Sequence, residues 1–174
     1  TADMTTIGGG IWYVVTNWMA TAALMVNGTA NLILMDGATL VADGGVRVAD
    51  GNTLNIFAQS EGARMGELTA NGANYGAGVG GGHEEAAGAI SIHGGKVTAK
   101  GHGYAAGIGG GTFDSVDAAR VAGGMVAIYG GVVKATGAFA AAGIGGGRYG
   151  AGKSVAIFGG EVTATGGNEG AGIG

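Results

Sequence analysis

Residues 89–111 read AISIHGGKVTAKGHGYAAGIGGG, residues 125–147 read MVAIYGGVVKATGAFAAAGIGGG, and residues 154–174 read SVAIFGGEVTATGGNEGAGIG. These segments repeat one pattern, and its closing motif also occurs as GAGVGGG in residues 76–82. The glycine before the Val or Ile of this motif recurs at Gly78, Gly107, Gly143 and Gly172. The spacing is unequal, and the step from Gly107 to Gly143 is the longest. A constant pattern at variable steps indicates one repeated structural unit with loop insertions.

Apolar residues alternate within each repeat, which is the period of a β-strand. Three short strands separated by glycine turns fit each unit, with the aliphatic pairs Ile90/Ile92, Val97/Ala99 and Ala106/Ile108 in the first long repeat. The same pattern reaches back into the N-terminal half, where it aligns Leu32 with Leu54 and Val46 with Ala77. The step from Leu32 to Leu54 is the shortest in this alignment, and we expect it to be the minimum coil, free of inserts. A further coil is expected to hold residues 11–15 and 23–26.

Three strands per coil predict an all-β fold, a right-handed parallel β-helix (β-solenoid) of about six coils with loop inserts. We expect a single domain over residues 1–174, with N-terminal coils in 1–75 and glycine-rich repeats in 76–174. The alternative is a disordered glycine-rich linker, which the aligned aliphatic columns disfavour. A β-propeller is also disfavoured, because its blades need about 40 residues and four strands each.

The composition excludes several classes of function. The 174 residues include 43 glycines, no cysteine and no proline, so disulfides and thiolate metal sites are absent. The net charge of −4, with eight Lys and Arg, argues against nucleic-acid binding. The sequence contains no run of about 18 apolar residues, the length that would predict a membrane span. The chain begins Thr-Ala-Asp without a leader pattern, which we interpret as a secretion signal already removed.

Several stretches carry a family resemblance: residues 12–15, 31–40 and 52–57, and the three late repeats of the type GGxVTAxGGxxGAGIGGG. They resemble the glycine-rich repeats of bacterial secreted and cell-surface proteins with a pectin-lyase-like right-handed β-helix. The match covers most of the chain. The resemblance implies the β-helix fold, an extracellular or cell-surface location, and an adhesin-like or carbohydrate-binding role.

One outward column of the first strand is predicted to be mostly aromatic. It contains Met35, Phe57, His93, Tyr129 and Phe158. One interpretation is a structural stack of side chains covered by the inserts. The other is a platform for sugar rings or for a partner surface, because contiguous exposed apolar side chains often mark interaction sites.

The third strand is predicted to present an outward face of glycine. Its members are Gly78, Gly80, Gly107, Gly109, Gly143, Gly145, Gly172 and Gly174. Glycine inside a strand costs about 0.5–1 kcal/mol relative to alanine, so a bare face suggests that something packs closely on it. We expect self-association through this face. The alternative is a repeat that merely needs tight turns.

Other chemistry is only weakly indicated. Threonine columns at residues 69, 98 and 163 suggest ice binding, but Lys134 interrupts the column. His83, Glu84 and Glu85 form a candidate metal-binding tip, although adjacent loop residues are more often solvated. No aligned pair of carboxylates is expected to support polysaccharide cleavage. No catalytic residue, metal or cofactor is therefore assigned.

The sequence thus predicts a non-enzymatic extracellular structural or adhesive β-solenoid whose partner is another copy of itself or another surface protein. A carbohydrate-binding module that uses the aromatic column is the main alternative. A polysaccharide-degrading enzyme and an ice-binding protein are less favoured. Because the chain stops within a repeat at residues 172–174, we expect either a fragment of a longer protein or a protomer that stacks into a filament.

Overall fold

The computed structural model describes residues 4–115 and 124–174, and all regular structure in these ranges is β-strand. The strands are β1 (Thr6–Gly8), β2 (Trp12–Val15), β3 (Trp18–Ala20), β4 (Leu24–Asn27), β5 (Thr29–Leu34), β6 (Thr39–Ala42), β7 (Val46–Arg47), β8 (Thr53–Ala58), β9 (Glu67–Asn71), β10 (Val79–Gly80), β11 (Ala89–Ile92), β12 (Lys96–Lys100), β13 (Ile108–Gly109), β14 (Met125–Ile128), β15 (Val132–Thr136), β16 (Ile144–Gly145), β17 (Ser154–Ile157) and β18 (Glu161–Thr165).

Successive strands along the chain belong to three different sheets, and every third strand returns to the same sheet. Sheet A contains β1, β4, β7, β10, β13 and β16, sheet B contains β2, β5, β8, β11, β14 and β17, and sheet C contains β3, β6, β9, β12, β15 and β18. Neighbouring strands within each sheet pair in parallel. The chain is therefore a right-handed parallel β-helix with three strands per coil and six coils, which confirms the predicted fold. Among the described residues, no helix is long and apolar enough to cross a membrane.

The interior of the solenoid consists of columns of like residues. In sheet C one inward column is alanine in all six coils, at residues 20, 42, 70, 99, 135 and 164. In sheet B the fully buried Ile56, Ile92 and Ile128 lie directly above one another. Each buried isoleucine contributes roughly 1.5–3 kcal/mol. Large side chains on one sheet and alanine on another let three strands close around a narrow core.

Two of the predicted alignments in the N-terminal half are wrong by two positions. Leu32 pairs with Ile56 and Ala30 pairs with Leu54, while Val46 pairs with Val79. A shift of two positions keeps every side chain on its own face of the sheet, so hydrophobic alternation alone does not distinguish the registers. The predicted minimum coil is also wrong, because Tyr13 pairs with Leu32, and this first coil is shorter than the segment from Leu32 to Leu54.

The loop inserts lie at the corners of the coils. The insert after Gly82 runs into β11, and the one after Gly147 runs into β17. Most of the long insert after Gly111, residues 116–123, lies outside the described residues.

Candidate functional site

The glycine columns of sheet A are packed against the chain's own backbone. A Cβ atom at Gly107 would lie 2.6 Å from the amide nitrogen of Thr136 and 2.7 Å from the carbonyl oxygen of Gly143. A Cβ atom at Gly78 would lie 2.5 Å from the amide nitrogen of Lys100. Both glycines are buried. The next coil therefore occupies the space that a side chain would need.

The second glycine column is also packed against the next coil, and in addition its backbone conformation favours glycine. At Gly80, Gly109 and Gly145 the backbone φ angles are +143°, +126° and +137°, which L-residues rarely adopt. A Cβ atom at each would collide with the carbonyl oxygen of the equivalent glycine in the next coil.

The prediction of a bare outward glycine face is therefore wrong for the inner coils. All the predicted members from Gly78 to Gly145 are buried, while Gly172 and Gly174 in the last coil are half-buried and exposed. The sequence pattern correctly indicated close packing, but the object that packs there is the neighbouring coil. This surface consequently supports no argument for self-association.

The predicted aromatic column forms a stack on the outer face of sheet B. The ring centroids of Phe57 and His93 are 4.4 Å apart, those of His93 and Tyr129 are 4.7 Å apart, and those of Tyr129 and Phe158 are 4.9 Å apart. All three pairs are parallel to within 10°. Trp12 extends the stack, with its ring tilted by 36° and centred 5.2 Å from that of Phe57. We call these five side chains the aromatic ladder.

The ladder differs from the predicted platform in two respects. Met35 lies outside it, because the shifted register puts Ile33 next to Phe57. The rings also face one another rather than the solvent, so the ladder presents ring edges along most of its length. Tyr129 and Phe158 are nevertheless 49% and 68% exposed, so no insert within residues 4–115 and 124–174 covers them. A sugar-stacking platform normally needs free ring faces, so the geometry favours a structural stack.

A polar cleft of about 360 Å³ lies at the corner where the chain passes from sheet C to sheet A. Its floor consists of corner backbone from three successive coils and of the glycine segment after β10. Five polar side chains line it: Thr21, Asp43, Arg47, Asn74 and His83. Its volume lies within the usual range for small-molecule sites, about 300–1,000 Å³.

An ion pair shapes one wall of this cleft. Arg47 Nε donates a 2.5 Å hydrogen bond to Glu85 Oε2, and the backbone N–H of Gly82 donates to the same oxygen over 3.1 Å. Burial raises the pKa of the Glu85 carboxyl, but the bonds from Arg47 and Gly82 outweigh this effect, and the net pKa is lowered. The bond to Glu85 raises the pKa of Arg47. Both groups are therefore charged at neutral pH and neutralise each other.

Two further polar groups of the cleft, Asp43 and His83, have side-chain partners. Asn71 Nδ2 donates to Asp43 Oδ1 over 3.1 Å, and His83 Nε2 lies 3.1 Å from Asp114 Oδ1. Asp43, Asn74 and His83 are all exposed. The cleft thus offers hydrogen-bond donors and acceptors on side chains that are partly positioned in advance.

A cluster of six aromatic side chains and one arginine extends away from the cleft wall at His83. We call it the corner cluster, and its members are Tyr75, His83, His102, Tyr104, Phe139, Arg148 and Tyr149. The Tyr75 ring centroid is 5.4 Å from that of His83 and 6.2 Å from that of Tyr104, which is parallel to it within 6°. The Arg148 guanidinium lies 4.7 Å from the Tyr104 ring centroid and 4.4 Å from that of Tyr149. Tyr75 is 45% exposed.

Two tyrosines of the corner cluster have unusual backbone conformations. The φ angle is +62° at Tyr75 and +60° at Tyr149, a region that bulky side chains seldom occupy. Such conformations cost roughly 1–3 kcal/mol each and are concentrated at functional sites. The Tyr75 ring lies over Gly103, where a Cβ atom would be 2.8 Å from Tyr75 Cε1. The fold thus holds this ring in place at the edge of the cleft.

Neither the cleft nor the corner cluster was predicted from the sequence. One signal was present, since Tyr75 and Tyr104 are separated by the same step along the chain as Gly78 and Gly107. The lining residues Asp43, Asn74 and His83 come from segments outside the obvious repeats, and only the fold brings them together.

The remaining candidate groups are in simpler environments. Of the predicted metal-binding tip, Glu85 pairs with Arg47, and His83 lies beside Asp114. Within residues 4–115 and 124–174, no three His, Asp or Glu side chains converge to hold a metal ion. Glu67 and Lys96 are adjacent in register, with Lys96 Nζ 2.9 Å from Glu67 Oε1. Lys134 lies between Thr98 and Thr163 in its column, as predicted.

Comparison with known proteins supports the architecture. The family model of the beta helix repeat matches residues 90–112, 126–148 and 155–174. No curated protein and no solved structure matches the chain. The matched segments begin at residues that pair in register in β11, β14 and β17. The chain is thus a right-handed parallel β-helix whose last three coils are similar to the beta helix repeat.

Proposed function

We propose that this protein is a non-enzymatic, carbohydrate-binding β-solenoid whose binding site is the polar cleft bordered by Tyr75. The observation that carries the proposal is the combination at one corner of a 360 Å³ cleft, five polar side chains and an exposed tyrosine. The proposed location is extracellular or at the cell surface, where such a rod would act as an adhesive element.

The chemistry of the cleft suits a sugar. A sugar hydroxyl both donates and accepts hydrogen bonds, and so requires both kinds of partner close together. Asp43 accepts, Arg47 donates, and Asn74 does both. The floor of small residues lets a flat ring approach the backbone closely.

The aromatic border supplies the second element of sugar recognition. Tyrosine combines a large apolar ring with a polar hydroxyl, and the exposed part of the Tyr75 ring can pack against the C–H groups of a pyranose. Tyr75 is fixed by Gly103 and His83 and is partly exposed beside the cleft. A pre-positioned ring reduces the entropy that binding would otherwise cost.

A glycan array followed by calorimetric titration of the best oligosaccharide tests this proposal. We expect saturable binding that Tyr75→Ala weakens at least tenfold. The matched control is Tyr129→Ala, which removes a tyrosine of similar exposure from the aromatic ladder and leaves the cleft intact.

Three results would contradict the proposal. The first is an array with no saturable binding. The second is loss of binding in Tyr129→Ala with retention in Tyr75→Ala, which would move the site to the ladder. The third is release of new reducing ends from a bound glycan, which would show an enzyme.

A second candidate function is self-association through sheet B. The aromatic ladder is exposed, contains no Asp, Glu, Lys or Arg, and lies beside the small side chains of Ser91, Ala127 and Ala156. Exposed apolar patches of this kind mark interfaces. Sedimentation velocity tests this role: concentration-dependent association should be reduced by Phe158→Ser, and a strictly monomeric wild type would exclude it.

A further inference from the structure

The charges around the cleft are unevenly compensated. Arg47 is neutralised by Glu85 at one wall. Asp43 forms no ion pair within the described residues, and its carboxylate accepts a hydrogen bond from the uncharged Asn71. The carboxylate of Asp114 lies beside His83 and is well exposed, and Glu84 is exposed next to His83.

From this charge distribution we infer that the ligand is a basic amino sugar, an oligosaccharide of glucosamine type with free amines, and not an acidic uronate. The inference rests on the proposed function, since it names the class of sugar for the same cleft. The protonated amine would lie at Asp43, and the ring hydroxyls would lie toward Arg47 and Asn74.

The physical reason is the sign of the uncompensated charge. An ammonium group near Asp43 gains a charge-assisted hydrogen bond, which is about twice as strong as a neutral one. A uronate carboxylate in the same place would be repelled by Asp43, and Arg47 is already engaged by Glu85. At longer range, the net charge of −4 also attracts a cationic sugar and repels an anionic one.

The test compares five probes at low and at physiological salt by calorimetry. They are hexamers of glucosamine, N-acetylglucosamine, glucose and galacturonate, and a hexalysine peptide. We expect the glucosamine hexamer to bind about tenfold more tightly than its N-acetylated form, and added salt to reduce the difference. Asp43→Asn should abolish this preference while retaining binding of the uncharged hexamers.

Asp50→Asn is the matched control, because it removes an exposed carboxylate that does not line the cleft. It should leave the preference for the glucosamine hexamer unchanged. If Asp50→Asn abolishes the preference as completely as Asp43→Asn, the attraction is to the overall charge and the inference is wrong.

The remaining outcomes separate this inference from the proposed function. Equal affinity for glucosamine and N-acetylglucosamine hexamers, or tighter binding of galacturonate, would overturn the amino-sugar inference and leave carbohydrate binding standing. Binding of hexalysine as tight as that of the glucosamine hexamer would overturn the inference as well. Failure of all four sugars to bind would overturn the proposed function itself.

Discussion

At the scale of single residues, the glycines of sheet A allow the backbones of successive coils to pack directly against each other. A side chain at Gly107 has no space, because the coil that follows passes within van der Waals distance on two sides. Ordinary strand positions tolerate a β-branched residue well. A substitution by valine should therefore lower the free energy of unfolding much more at a packed glycine than at an ordinary outward strand position.

We predict that Gly107→Val lowers the free energy of unfolding by about 1–3 kcal/mol or more, the usual cost of overpacking. The reason is that its Cβ would meet the backbone of Thr136 and Gly143. The matched control, Ala127→Val, adds the same branched side chain on the outer face of β14, and we expect it to change stability by less than about 0.5 kcal/mol. Urea denaturation measures both, and equal effects would contradict this account of the glycines.

A second residue-scale prediction concerns acid. Because the pKa of Glu85 is lowered on folding, its contribution to stability is present above the ordinary glutamate pKa of about 4.3 and is lost as the pH falls through the lowered value. Wild type should therefore exceed Glu85→Gln in stability at pH 6, and the gap should narrow toward pH 3. Urea denaturation across this range measures it. A gap that does not change with pH would show that the carboxylate charge is irrelevant.

At the scale of elements, the aromatic ladder joins side chains from five coils across the outer face of sheet B. His93 and Tyr129 each stack on one ring from the coil before and one from the coil after, so both of their ring faces are covered. The ladder thus adds a row of side-chain contacts parallel to the backbone hydrogen bonds. Because the rings stack on one another, removal of one ring is expected to lower the stability of the protein.

We predict that Tyr129→Ala, which removes the ring pairs with His93 and Phe158, destabilises the protein by about 1–3 kcal/mol, since each such pair contributes about 0.5–1.5 kcal/mol. Tyr129→Phe keeps the ring and should retain nearly all of this stability. Thermal and urea denaturation followed by near-ultraviolet circular dichroism measure both variants. If Tyr129→Ala is as stable as Tyr129→Phe, the stacking is not stabilising.

At the scale of the whole molecule, each coil contacts chiefly its two neighbours, so the structure is a stack held together by repeated interfaces. The candidate site follows from this stacking. Its floor comes from three successive coils, and its polar side chains come from the corner turns and from the end of β7. A binding surface of this kind lies across coils and has no counterpart in any single repeat.

Much of the architecture was predictable because it is periodic. The alternation in residues 89–92 and 96–100 selects the strands, and the repeated alanines of sheet C predict which side chains face inward. The register of Leu32 was not predictable, because shifts of two positions keep the same face inward and the corner turns decide between them.

The sequence by itself determined the fold class, the three strands per coil and the column of rings from Phe57 to Phe158, because each depends on a period that can be followed along the chain. Only the tertiary structure decided what packs against the glycines and which polar groups share the cleft. A glycine column indicates close approach without identifying the approaching partner, and here that partner is the next coil. Asp43, Asn74 and His83 line one cleft because the turns after β6 and β9 lie in successive coils and the insert after β10 lies beside them.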